Sequence, residues 1–315
     1  MNILIIGLGS IAAKHVSAIR ALQKTGAQPH RIFALRSSKQ AGSVEGVENV
    51  YSYDEARRLN PDMVIISNPT SRHADAISET TGWGVPLMIE KPVAEAPMPQ
   101  ADVDAIASST LTYVACNLRF LGCLRFIADR ISSGTLPGRI NEVNIYCGSS
   151  LPSWRPGTDY RKSYSAIPEL GGGVHLDLIH EIDYACALFG MPAESRGICR
   201  SVSSLGIRAI DFANYQLIYP EFCVSITLNY YRPTYKRTME IVFDNDIWTA
   251  DLALNTVTDC HGNVVFSSPL RIADTYTDQM DHFIKLVESG AKTSANDIRR
   301  ANDILKIASS YERSI

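Results

Sequence analysis

The sequence predicts an α/β protein: an N-terminal doubly wound parallel sheet, followed by an α+β domain with a large, mostly antiparallel open sheet. Three observations carry this reading. A branched apolar run, Ile3–Ile6, leads straight into Gly7-Leu8-Gly9 and a helix-like pattern. Strand and helix signals then alternate through the first third of the chain, the order that builds a parallel sheet with helices on both faces. After about residue 118 the alternation gives way to longer strand-like runs divided by hairpin signals. The expected division is therefore 1–118 and 119–315.

The opening run suits a parallel strand buried on both faces. Gly7-x-Gly9-x-x-Ala12 follows, and Ile11, His15, Ala18, Ile19 and Leu22 recur at helical spacing. Strand, glycine turn and helix in this order are the context a dinucleotide fingerprint requires. Gly7 allows the tight turn, Gly9 lets the backbone approach a pyrophosphate, and Ala12 lets the helix pack close to the strand. Ser10 and Ile11 open the helix, whose unbonded N–H groups face the phosphates. The competing reading is a tight turn in an ordinary α/β domain. A secretory signal is not expected. No basic residue stands between Met1 and the apolar run, and Lys14 and His15 interrupt it.

The second strand, 31–35, ends at Arg36-Ser37-Ser38. A carboxylate there binds the ribose hydroxyls of NAD, whereas a guanidinium grips the 2′-phosphate of NADP. NADP is thus preferred over NAD; the competing reading of Arg36 is a solvated loop arginine. A third strand, 62–66, runs into Ser67-Asn68-Pro69-Thr70 and a helix with Ser71 as its N-cap. Strand 85–89 ends in Glu90-Lys91-Pro92, and strand 111–116 ends at Asn117. Ligands bind at the carboxyl ends of such strands, where Asn68, Thr70, Lys91 and Asn117 stand.

The second half reads as a helix over 121–132, then strands over 140–147, 208–219, 223–231 and 237–243. Turn signals fall at 219–221 and 244–246, and two helical patterns, 276–288 and 295–311, close the chain.

Composition fits a globular chain with a real core: 45% hydrophobic, 20% charged. A net charge of -3 argues against a nucleic-acid partner, which needs a basic face. No apolar run approaches the ~18 residues of a membrane helix. Seven cysteines form no C-x-x-C pair and suit buried thiols in a reducing cytoplasm.

The chemistry concentrates in 149–190. About twenty residues form an irregular loop carrying Trp154, Arg155, Tyr160, Arg161, Lys162 and Tyr164. Aromatic faces and cations together suit a sugar ring bearing an anionic group; the competing reading is a surface flap with solvated charges. After Gly171-Gly172-Gly173 comes a helix on which Asp177, His180 and Asp183, three apart, share one face. A histidine flanked by carboxylates transfers protons near neutral pH. The competing reading is a capped core histidine. His175 lies off that face. No metal is expected, since there is neither H-E-x-x-H nor a cysteine beside these residues.

The sequence resembles the Gfo/Idh/MocA family of NAD(P)-dependent oxidoreductases. The resemblance rests on GLGSIAAKH at 7–15, NPTSRH at 68–73, EKP at 90–92, NLRF at 117–120 and GGGVHLDLIHEID at 171–183. It implies a Rossmann domain and a C-terminal α/β domain whose open sheet forms homodimers or homotetramers. It implies oxidation or reduction of sugars, inositols or sugar nucleotides. Its motifs add His73 and Glu90 to the cofactor-binding residues, and Arg119 and Asp183 to the substrate-binding ones. Lys91 is implied to polarise the reacting oxygen and His180 to be the acid/base, with Asp177 the accompanying carboxylate. The family often sets that carboxylate four residues before the histidine; here the spacing is three. It also often ends the second strand in aspartate, from which Arg36 departs. The loop 154–166 further resembles a bacterial subgroup of nonulosonic acid and surface-glycan pathways, which implies an acidic or nucleotide-linked sugar. A different class, a nucleotide or sugar sensor that kept the fold and lost the reaction, would be free to lose Lys91 and His180.

Overall fold

A computed structural model of the chain describes residues 1–24, 29–40 and 42–312. They group into two compact units, Met1–Cys116 with Tyr276–Leu305, and Asn117–Thr275 with the residues from Lys306 onward. The linear division at 118 assigned both closing helices to the second domain, whereas 276–305 groups with the first.

In the first unit the strands are β1 (Asn2–Ile6), β2 (Arg31–Leu35), β3 (Val47–Val50), β4 (Met63–Ile66), β5 (Leu87–Glu90) and β6 (Thr112–Ala115). All pair in parallel, in the order β3-β2-β1-β4-β5-β6. Ile3 to Ile6 are at most 3% exposed, as a strand covered on both faces requires. Each such side chain contributes roughly 1.5–3 kcal/mol over leaving it in water. The helices are α1 (Ser10–Lys24), α2 (Tyr53–Arg58), α3 (His73–Thr81) and α4 (Gln100–Ser109). Ser71 does not cap α3. Residues Thr70–Arg72 form a 3₁₀ turn, α3 starts at His73, and its N-terminus has no side-chain cap.

The second unit opens with α5 (Gly122–Ser132) and the strand β7 (Ile140–Ser150). Two short helices, α6 (Val174–Asp177) and α7 (His180–Phe189), precede β8 (Glu194–Arg200), β9 (Phe212–Ile218), β10 (Cys223–Asn229) and β11 (Tyr231–Phe243). β12 (Ile247–Asp251), β13 (Thr256–Thr258) and β14 (Val264–Ser267) complete a sheet of order β14-β13-β12-β11-β7-β10-β9-β8. β10 and β7 are parallel; the other pairs are antiparallel. Buried residues alternate with partly exposed ones along β9, the pattern of a sheet packed on one face. The expected turns at 219–221 and 244–246 join β9 to β10 and β11 to β12. β8 escaped the sequence reading because only Gly197 and Cys199 of its seven residues are buried.

The closing helices are α8 (Thr275–Glu288) and α9 (Ile298–Ser309). Phe283 of α8 stacks on Tyr113 of β6, and Asn296 Nδ2 donates to Val114 O at 2.6 Å. These bonds tie the C-terminal segment to the edge of the parallel sheet. Among the described residues no helix is long and apolar enough to cross a membrane.

Candidate active site

Strand order reverses between β1 and β4, and the loops after those two strands abut. Gly7 has φ +83°, and a Cβ there would stand 2.8 Å from Asn68 Cα. Both the backbone conformation and the close approach therefore demand glycine. The turn is held on both flanks. Gly7 N–H donates to Leu35 O at 3.0 Å, and Ser67 Oγ donates to the carbonyls of Ile6 and Gly7, each at 3.2 Å. Gly9 differs: a Cβ there would meet no protein atom within 4 Å, and its φ lies outside the left-handed region. Protein packing does not require glycine at this position, and the space beside the turn is open. α1 begins at Ser10, its first bond being Ala13 N–H to Gly9 O at 3.1 Å, so the preceding N–H groups have no helical partner. Ala12 is fully buried against the sheet. Open backbone at a helix N-terminus, on the crossing point of a doubly wound sheet, fits a pyrophosphate.

At the end of β2, Arg36 donates from Nη1 to Gly42 O at 3.1 Å, while Ser37 is exposed and Ser38 Oγ accepts from Gln40 N–H. No carboxylate stands in the 36–38 stretch. Asn68 Nδ2 donates to Arg72 O at 3.3 Å, and Thr70 is buried at the start of the 3₁₀ turn. His73, expected against the cofactor, is 1% exposed and wedged between two backbone segments. Its Nδ1 is 2.9 Å from Pro92 O and its Nε2 3.0 Å from Asn68 O. Burial lowers its pKa, so the neutral ring donates to one carbonyl at a time.

Glu90 is 6% exposed. One oxygen lies 2.7 Å from His15 Nε2 and the other accepts Lys91 N–H at 3.2 Å. The sequence showed His15 as a member of the apolar stripe of α1 and as the end of the 7–15 motif. Its pairing with a residue 75 positions away has no local signal. The Lys91–Pro92 peptide that follows is cis.

In the second unit, the segment expected as an irregular loop is a chain of 3₁₀ turns at Leu151–Trp154, Tyr160–Lys162, Tyr164–Ala166 and Pro168–Leu170. Trp154 Nε1 donates to Ser149 Oγ at 2.8 Å, and its ring meets Tyr230 edge-on at 5.3 Å. Tyr160 donates to Leu205 O, and the Arg161 guanidinium lies over the Tyr160 ring. Arg155 is exposed. The single helix expected after Gly171-Gly172-Gly173 is broken: Leu178 and Ile179 separate α6 from α7. Asp177, His180 and Asp183 therefore do not ride one continuous helical face, as their spacing suggested.

Each carboxylate instead has its own long-range partners. Asp177 accepts hydrogen bonds from both Tyr164 and Tyr230 hydroxyls. Burial, and then the Asp177 charge, push both phenols well above their usual range, so they remain donors. Asp183 is gripped bidentately by Arg119, at 2.8 Å from Nε and 2.7 Å from Nη2. These two residues, both expected to bind substrate, thus pair with each other. Glu181 is fully buried and receives Arg237 Nε at 2.6 Å and Nη2 at 3.1 Å. His180, 9% exposed, opens α7 beside it. Asn117 Nδ2 donates to Thr275 Oγ1 at 2.8 Å. Gly172 is required by proximity, since a Cβ there would fall 2.1 Å from Tyr164 O. The structure so brings Trp154, Tyr164 and Asp177 together around Tyr230. The sequence reading missed Tyr230, Glu181 and Arg237; their partners lie more than fifty residues away.

Residues 1–114 match the Gfo/Idh/MocA oxidoreductase family, NAD-binding Rossmann fold. This part of the chain is similar to the NAD-binding domain of that family. Its strand order and glycine turn are those described above. The chain is also 26% identical over 185 residues to the rhizopine catabolism protein MocA of Rhizobium meliloti. That match takes in 57% of this chain and about half, 54%, of the relative's length. Among solved structures, levoglucosan dehydrogenase in complex with NADH superposes with a TM-score of 0.84 at 16% identity, covering 98% of this chain and 95% of that one. A myo-inositol dehydrogenase from Corynebacterium glutamicum gives a TM-score of 0.74 at 19% identity, covering 98% and 94%. An aldose-aldose oxidoreductase from Caulobacter crescentus gives 0.77 at 17% identity, covering 98% and 95%. At such identities the likeness is one of fold, and it extends from the parallel sheet through the eight-stranded sheet.

Proposed function

We propose that the protein is an NAD(P)-dependent oxidoreductase that interconverts a hydroxyl and a carbonyl of a sugar or cyclitol. The observation that carries this is the nucleotide turn, glycine-built at Gly7 and open at Gly9, within a domain of an NAD-binding oxidoreductase family. The sugar and inositol dehydrogenases with the same fold support the substrate class. When bound, the nicotinamide supplies or takes up the hydride. Gly7 to Ala12 hold the pyrophosphate, with Asn68 and Thr70 on the neighbouring loop. Arg36, Ser37 and Ser38 receive the adenosine ribose and favour its 2′-phosphate.

Lys91 polarises the reacting oxygen and offsets charge that develops on it. His180 takes the hydroxyl proton during oxidation and returns it during reduction. Asp177, held between Tyr164 and Tyr230, is the carboxylate that accompanies His180. Trp154, Arg155 and Arg161 supply an aromatic face and cations for a sugar carrying an acidic or phosphorylated group. By resemblance the chain assembles as a dimer or tetramer.

Incubation with NAD and NADP and a panel of sugars, cyclitols and sugar nucleotides, followed at the absorbance of the reduced cofactor, tests the reading. Turnover is expected with at least one of them. Lys91→Ala should abolish it while nucleotide still binds. Arg36→Ala should weaken NADPH far more than NADH; equal weakening removes the NADP preference.

A further inference from the structure

Lys91 follows a buried pair that the reaction does not itself call for. His15 is fully buried and Glu90 nearly so, with Nε2 and Oε1 2.7 Å apart. Glu90 Oε2 faces Lys91 N–H, which can only donate, so the one proton the pair shares lies between Oε1 and Nε2. His15 Nδ1 is buried with no hydrogen-bond partner. A buried N–H there would go unsatisfied. The ring accordingly presents its donor on Nε2, toward Glu90 Oε1.

The placement of the two residues gives the pair its meaning. His15 belongs to α1, one turn beyond Ala12 and the glycine turn. Glu90 ends β5, and its carboxylate fixes the backbone N–H of Lys91. On the other side of Lys91, the His73 ring lies between the Pro92 carbonyl and the Asn68 carbonyl of the loop that abuts Gly7, donating to one of them at a time. The peptide carrying Lys91 is therefore tied twice to the elements that form the nucleotide turn, once through α1 and once through the 68–73 loop.

We propose that His15 and Glu90 are positioning residues: they couple the backbone at Lys91 to the helix that begins at the nucleotide turn, so that Lys91 is set correctly only when that helix is in place. Neither touches the reacting atoms. The proposal rests on the assignment of Lys91 above. Two variants separate it from simple packing. His15→Gln keeps a donor in reach of Glu90, and His15→Leu keeps bulk without one.

The experiment reads the acylation rate of the Lys91 amine by acetic anhydride, measured by peptide mass spectrometry on full-length protein saturated with NADPH. Lys285 and the exposed Lys292 serve as internal references. Relative to wild type, His15→Leu should change the Lys91 rate at least threefold, leave the reference lysines unchanged and leave the NADPH Kd within twofold. His15→Gln should restore the Lys91 rate to within about 1.5-fold. If His15→Leu does not fold, His15→Met, which also keeps bulk without a donor, takes its place with the same expected change. A Lys91 rate unchanged in the disrupting variant overturns the proposal. So does a His15→Gln protein that folds normally yet labels like the disrupting variant.

With a sugar that wild type oxidises, the same variants should split kcat from KM: kcat at least tenfold down in His15→Leu, recovered to within threefold in His15→Gln, with the sugar KM within twofold throughout. A loss confined to KM overturns the positioning role. Absence of wild-type turnover on every sugar bears on the proposed reaction alone, because the labelling result stands without it.

Discussion

The nucleotide turn and the segment around His180 are built by opposite means. Around Gly7 the positions are set by backbone: a left-handed glycine, a helix start, strand ends in parallel register and carbonyls that close the turn. Around His180 they are set by side chains reaching across long stretches of sequence. Asp177 bonds Tyr164 and Tyr230, Asp183 bonds Arg119, and Glu181 bonds Arg237. A backbone-built site tolerates change in most side chains but not in its glycines. A side-chain-built site has several single points of failure, each a buried polar group that would lose its partner.

The largest effect should come from the buried ion pair. Arg237→Met leaves the fully buried Glu181 carboxylate without its partner and should cost about 3–5 kcal/mol, read by chemical denaturation. Replacing both, Glu181→Leu with Arg237→Met, should recover most of that loss. If the single variant is as stable as wild type, the side-chain account of this region fails.

Next come the phenols on Asp177. Tyr230→Phe removes a hydrogen bond to a buried charge, with an expected cost of roughly 1.5–3 kcal/mol. Tyr164→Phe should cost less, because Tyr164 is partly exposed and the carboxylate there can recruit water. Equal costs would show that the two bonds do not differ in solvent access.

The glycines sharpen the contrast from the other side. Gly7→Ala must hold a side chain at φ +83° against the Asn68 backbone and should destabilise by about 1–3 kcal/mol. Gly9→Ala meets no protein atom, so its melting temperature should stay within about a degree of wild type. Yet nucleotide affinity should fall at least tenfold, because the added methyl occupies the room beside the turn. A Gly9→Ala protein that binds NADPH normally would remove the pyrophosphate from that place.

This contrast also explains what the sequence made legible. The parallel strands and the Gly7–Ala12 turn were readable because each is announced within a few residues, by an apolar run, a glycine pair or a strand end. The hairpins at 219–221 and 244–246 were readable for the same reason. The break at Leu178–Ile179 was not, because Asp177-x-x-His180 is the spacing of an intact helix and nothing local marks the interruption. Nor were the pairs His15–Glu90, Arg119–Asp183 and Glu181–Arg237, whose members lie 56 to 75 residues apart. Arg119 and Asp183 were legible as important charged residues, but not as each other's partner. The closing helices were readable as helices, while their grouping with 1–116 depends on contacts such as Tyr113–Phe283 that periodicity does not encode.

The smallest expected effect concerns His73, a side chain that ties the nucleotide half together in the manner of the other half. Its pKa is lowered, chiefly by burial, so the unfolded chain binds a proton more readily than the folded one. Stability from this group is therefore fully present above the unfolded value of about 6.5 and is lost as pH falls through the lower folded value. Melting temperature should accordingly drop between pH 6.5 and pH 5 in wild type. His30, whose pKa burial also lowers, contributes to the same slope, so the absolute drop does not isolate His73. The difference between proteins does. His73→Gln, which retains an amide donor toward a carbonyl but has no proton to gain, should flatten the drop by on the order of 1–3 °C. Parallel pH profiles for the two proteins would mean that the ring between Asn68 and Pro92 carries its proton in the folded state, with both nitrogens donating.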